Sequence, residues 1–88
     1  MIGTTHADHK IIAAVPASHA GEYAVTAVRR QPTRHVAQYV TWLTDSKDNF
    51  YWGHYFTAHD QTNGELRDAA LADMLCRAGY DRLSRIGA

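Results

Sequence analysis

Cysteine occurs once in this chain, at Cys76, and proline only twice. A single thiol excludes an internal disulfide and any zinc site built on paired cysteines, and it fits a reducing compartment. No run of residues approaches the roughly 18 apolar positions of a membrane-spanning helix. The longest apolar stretch near the start, Ile11 to Val15, is of strand length. The opening residues Met1-Ile2-Gly3-Thr4-Thr5-His6 have neither the basic start nor the apolar run of a signal peptide. A soluble cytoplasmic protein without membrane contact is the expectation. Charge of one sign is missing too: nine Lys plus Arg balance nine Asp plus Glu, for a formal net charge of zero. That balance disfavours a general nucleic-acid coating protein, which carries a basic excess, and equally an acidic mimic of DNA. It also weakens mutual repulsion, so a homo-oligomer is admitted.

What remains is an ordinary folding composition, 45% hydrophobic and 20% charged, unlike the low hydrophobicity and high net charge of disordered chains. With 88 residues the chain reads as one domain, residues 1–88, whose core is thin because so short a chain buries only roughly 60–65% of its extended surface. Residues 1–9 are expected to be a flexible end and residues 81–88 a frayed one. Lys10 to Val15 reads as a first strand stopped at Pro16, and Ala17 to Gly21 as a turn. Tyr23 to Val28 is β-rich and forms a second strand, broken at Gln31-Pro32-Thr33. A third runs from about His35 to Thr44 and a fourth from Phe50 to Thr57, joined as a hairpin by the polar loop Asp45-Ser46-Lys47-Asp48-Asn49.

The end of the chain is helical. Thr62-Asn63-Gly64-Glu65 matches a capping box, in which hydroxyl and carboxylate satisfy two free amides reciprocally. Leu66, Ala69, Ala70, Met74 and Ala78 recur at helical spacing, with Leu71 and Leu75 widening the stripe. Gly79 stands where a left-handed cap is expected. These elements predict an α+β fold: a three- to four-stranded antiparallel sheet with one C-terminal helix packed on one face.

Side chains alternate across a strand, so the hairpin divides into two faces. With a loop of three or five residues, Trp42 lies opposite Trp52 and Val40 opposite His54. One face then carries Val36, Val40, Trp42, Phe50, Trp52 and Phe56, and is assigned to the core under the helix. The other carries Tyr39, Thr41, Tyr51, Tyr55 and Thr57, and is assigned to the surface. A four-residue loop would swap these alliances, because a one-residue slip changes the face. An exposed row of tyrosines is either a plain wet strand face or a partner surface, since tyrosine gives contact area at little entropic cost. Gly53 leaves a notch between Tyr51 and Tyr55 that suits close approach of another backbone.

Catalytic candidates are sparse. Cys76 has no base suggested near it and reads as a half-buried structural thiol. His54 reads as a satisfied or rim-exposed imidazole among aromatics. His59-Asp60 supplies two metal-ligand types without a third at fitting spacing, and His6, Asp8 and His9 read as an incidental chelating tail. No catalytic, cofactor or metal site is therefore assigned. Arg29, Arg30, Arg34 and His35 form the one basic cluster, a solvated turn or, beside exposed rings, a seat for single-stranded nucleic acid.

The stretch Tyr39-Val40-Thr41-Trp42, seven further residues, then Phe50-Tyr51-Trp52-Gly53-His54-Tyr55-Phe56 and a short helix resembles short uncharacterised open reading frames of actinobacteria, their phages and related mobile elements. The resemblance covers the hairpin and the helix, and no activity is attached to that group. It implies an accessory or inhibitor protein that binds one host protein, with inhibitors of bacterial immunity such as anti-CRISPR proteins among the precedents. The expectation is a non-enzymatic binding protein docking through Tyr39, Tyr51 and Tyr55 with Arg29, Arg30 and Arg34. A single-stranded nucleic-acid binder using the same face is the alternative, and a metal-dependent enzyme using His54, His59 and Asp60 is a third reading.

Overall fold

β-Branched and aromatic residues are concentrated before Thr57, alanine and leucine dominate after Asn63, and the fold divides at the same place. The computed structural model describes residues 2–17, 21–29, 38–45, 49–57 and 63–79. Strands β1 (Thr5–His6), β2 (His9–Pro16), β3 (Tyr23–Arg29), β4 (Gln38–Thr44) and β5 (Phe50–Phe56) precede helix α1 (Asn63–Arg77). All neighbouring strands are antiparallel and follow the chain order β1-β2-β3-β4-β5, with β1 and β5 at the edges. The architecture is the expected α+β sheet with one C-terminal helix, with one strand more than foreseen. The extra one is β1, inside the segment expected to be a flexible end.

α1 and the turn that follows it bury Leu66, Ala70, Met74 and Ala78, four positions each four residues apart, while Ala69 and Leu75 of the anticipated stripe are exposed. Leu66 and Ala70 pack with Tyr39, Ile12, Val28 and Phe56, and Met74 and Ala78 with Ala24, Ala13, Val15 and Leu43. The small alanines let the helix lie close to the strands. Gly79 ends it at φ +99, its N–H closing on the Cys76 carbonyl at 3.0 Å, which is the left-handed cap the sequence suggested. The anticipated cap residue Thr62 and residues 81–88 lie outside the described residues.

The helix covers the face opposite to the one expected. Along β4 it takes Tyr39, Thr41 and Leu43, whereas Val40 and Trp42 join Ile11, Val25 and Ala27 in a second buried cluster that contains no helix residue. Both faces of the sheet are thus buried, one by α1 and one by the curl of the sheet over itself. Two irregularities produce the curl. Between Ile11 and Ala13 the β2–β3 register slips, and Ile12 and Ala13 both pack on the helix side. Between Thr41 and Leu43 the β4–β5 register slips, so that Trp52 and Gly53 of β5 face Trp42 alone. An extra residue in one strand bends it and increases its twist.

Candidate functional site

The β4–β5 hairpin begins as the sequence predicts. Its loop holds five residues, and Thr44↔Phe50 and Leu43↔Tyr51 pair in the expected register. The extra residue in β5 then shifts everything beyond it: Thr41 meets His54 and Val40 meets Tyr55, where Val40 opposite His54 was expected. The slip moves Phe56 to the helix side beside Tyr39 and puts Trp52 at the surface. Trp52 adopts φ 55 and is 77% exposed. A bulky aromatic in the left-handed region costs on the order of 1–3 kcal/mol and persists only where its surroundings impose it. Here the pairs on either side fix both ends of the bulge. From Tyr51 through Tyr55 every residue of this edge strand is exposed.

Gly53 makes the bulge sterically possible. A Cβ on Gly53 would lie 2.9 Å from Trp42 Nε1, 3.0 Å from a ring carbon of Tyr55 and 3.2 Å from its hydroxyl. The Tyr55 ring therefore lies over the Gly53 backbone, and the notch foreseen for an outside partner is filled from within.

Two polar clusters pin the ends of this surface. At the loop end, the Asn49 backbone and side-chain amides donate to the Asp45 carboxylate, each at 3.0 Å, and the Tyr51 hydroxyl donates to the same group at 2.5 Å. That hydrogen bond raises the Tyr51 pKa above its ordinary value, reinforced by partial desolvation and by the negative charge of Asp45. At the helix end, Asp73 Oδ2 accepts from the buried Thr41 hydroxyl at 2.5 Å and lies 3.0 Å from His54 Nδ1. Arg77 donates to the Thr41 carbonyl at 3.0 Å and to its hydroxyl oxygen at 3.1 Å. Burial lowers the Arg77 pKa and the Asp73 carboxylate opposes that shift, so the guanidinium stays charged at ordinary pH. This seam ties β4 and β5 to α1, and it satisfies Asp73 and Arg77 on the face of β4 that the helix covers.

An imidazole oriented by a carboxylate is also how catalytic bases are held. Among the described residues, however, no hydrogen bond joins His54 to a serine, threonine or cysteine hydroxyl or thiol, and no group of three metal-ligating side chains forms. Cys76 is exposed, not half-buried as expected.

Of the six residues expected to dock, Tyr51 and Tyr55 are exposed, at 42% and 59%. The exposure expected of Tyr39 is corrected: it is 7% exposed and packs beneath α1 with Leu66 and Ala70, because the helix took its face. Thr41, also assigned to the surface, is buried for the same reason. Arg29 is half-buried, with its Nε enclosed and without a hydrogen-bond partner. Arg30 and Arg34 lie outside the described residues, as do His59 and Asp60. The structure thus brings Tyr51 and Tyr55 onto one strand with Trp52, which the alternating pattern had placed in the core. Trp52-Gly53 inside a strand was the available signal, since a strand glycine often marks a bulge. Comparison with protein-family models, with curated proteins and with solved structures finds no match to this chain.

Proposed function

We propose that this chain is a non-enzymatic binding protein that docks on a host protein through the exposed aromatic strand β5, with Trp52 as the anchor and Tyr51 and Tyr55 beside it. The observation that supports this reading most is Trp52, a large aromatic held outward in a conformation that a folding optimum would avoid. Buried tryptophans and tyrosines dominate the energetics of protein interfaces, and an exposed strand edge offers backbone groups to a partner as well. The hairpin's resemblance to short reading frames of mobile elements supports an accessory or inhibitor role.

The test is capture from host lysate after nuclease treatment, comparing the native chain with Trp52→Ala/Tyr55→Ala shown by circular dichroism to be folded. One protein retained by the native chain and lost with the variant is the expected result. Equal retention by both would remove β5 as the docking surface. The same row of rings also suits stacking of unpaired bases, the second reading. It predicts binding to generic oligonucleotides that weakens steeply with salt, whereas docking on a protein survives nuclease.

A further inference from the structure

The concave face of the sheet is closed by a segment outside the docking strand. Val25, Ala27, Val40 and Trp42 lie opposite α1, and the amino-terminal hairpin reaches across them. His6 of β1 stacks on Phe50 of β5, with ring centroids 4.0 Å apart and planes 13° apart, and meets Trp42 edge-on at 5.1 Å. Since β1 and β5 are the two edges of the sheet, this stack fastens edge to edge through side chains. Phe50, the first residue of the docking strand, is thereby half-covered.

The fastening is light. β1 has two residues, paired as Thr5↔Lys10 and His6↔His9, supplemented by Gly3 N–H to the Ile11 carbonyl at 2.8 Å and Ile11 N–H to the Thr4 carbonyl at 2.9 Å. Every residue from Ile2 to Asp8 is exposed. The turn runs through Ala7 at φ 48 and Asp8 at φ 62, two successive left-handed positions that two-residue hairpins ordinarily fill with Asn-Gly. The next residue, by contrast, is anchored. His9 is 3% exposed, its Nδ1–H donates to the Ala7 carbonyl at 2.6 Å, and its Nε2 lies 3.1 Å from the Gln38 amide nitrogen. Strain and fixation therefore meet at one point, between Asp8 and His9.

We propose that residues 2–8 form a strap that opens about Ala7–Asp8 independently of the rest of the sheet, releasing Phe50 and the edge of Trp42 to join the docking strand. Its regulatory consequence rests on the docking reading given above; the opening itself does not. The test is native-state amide exchange on the whole chain, read residue by residue at several low urea concentrations. The Gly3 and Ile11 amides are expected to exchange at least tenfold faster than those of β3, which is paired on both sides, and with little urea dependence. Ala7→Asn/Asp8→Gly, which suits the turn to its backbone, is expected to slow Gly3 and Ile11 at least fivefold. Exchange of Gly3 and Ile11 at the β3 rate and urea slope would overturn the proposal, because the strap would then open only by global unfolding. Fast exchange that Ala7→Asn/Asp8→Gly leaves unchanged would overturn it too, since the turn would not be the hinge. Neither result bears on lysate capture by β5, so the two readings fail separately.

Discussion

Replacing Asp73 with alanine removes one oxygen that serves two donors, and the two losses differ in size. Thr41 is fully buried, so its hydroxyl proton is left without the acceptor it has in the native seam. An unsatisfied buried donor costs about 1–3 kcal/mol. His54 is half-exposed and can turn to water, so its part is at most about 1 kcal/mol. Arg77 stays partly buried while losing the nearby anion that offsets its desolvation. About 2–3 kcal/mol is therefore expected for Asp73→Ala, against about 1 kcal/mol or less for His54→Ala. Urea unfolding followed by fluorescence checks this. With a slope of about 1 kcal/mol per M, expected for so small a domain, the midpoint should fall by about 2–3 M. Thr41→Val removes the donor that Asp73 serves, so the double variant should cost at least about 1 kcal/mol less than the two single losses together. Additivity within about 0.5 kcal/mol would show that the two groups do not act as a pair, and the account of this seam would fall.

Three further predictions address the hairpin. Gly53→Ala should destabilise by about 1–3 kcal/mol and alter the near-ultraviolet circular dichroism of Trp42, because the added methyl meets an indole with little room to move; unchanged stability would refute that packing. Trp42→Ala should cost about 3–5 kcal/mol, whereas Trp52→Ala should change stability by about 1 kcal/mol or less, because the ring is 77% exposed and little burial is lost; similar losses in thermal unfolding would contradict the split between core and surface tryptophan. Tyr51 should ionise above the ordinary tyrosine value in an ultraviolet difference titration, and Asp45→Asn should bring it down. The folded-state pKa is raised, so the stabilising contribution is present below the unfolded value of 10.0 and is lost as pH rises through the folded one. Coincident titration of the native chain and Asp45→Asn would remove that hydrogen bond from the account.

The helix was legible because its signals are local. Leu66, Ala70, Met74 and Ala78 mark one face by spacing alone, and Gly79 marks its end. The start of the β4–β5 hairpin was legible too, since the polar loop Asp45 to Asn49 sets the register at Thr44↔Phe50. Face assignment failed for a different reason. Val40 and Trp42 on one side and Tyr39 and Leu43 on the other are all apolar enough to be buried, so alternation does not say which side meets the helix. The helix-covered side is the one where Thr41 meets Asp73 and Arg77, residues more than thirty positions apart in the chain. The β1–β2 turn was illegible because Ala7-Asp8 is not a turn signal; its two left-handed residues are imposed by the pairing and the buried His9 around them.

One inserted residue in β5 links the fold to the proposed docking surface. Without it, alternation would carry Trp52 onto the side of Trp42 and Phe50. With it, Phe56 turns under the helix, His54 reaches Asp73, and Trp52 is left over at the surface. The first two outcomes stabilise the fold and are sufficient reason for the bulge. They do not require tryptophan at the left-over position, where asparagine or glycine would sit with less strain. A structural explanation therefore covers the bulge and stops at the side chain. The bulge position with its present residue should dock and the same position with glycine should only fold, so the two roles can be separated by substitution at Trp52 alone.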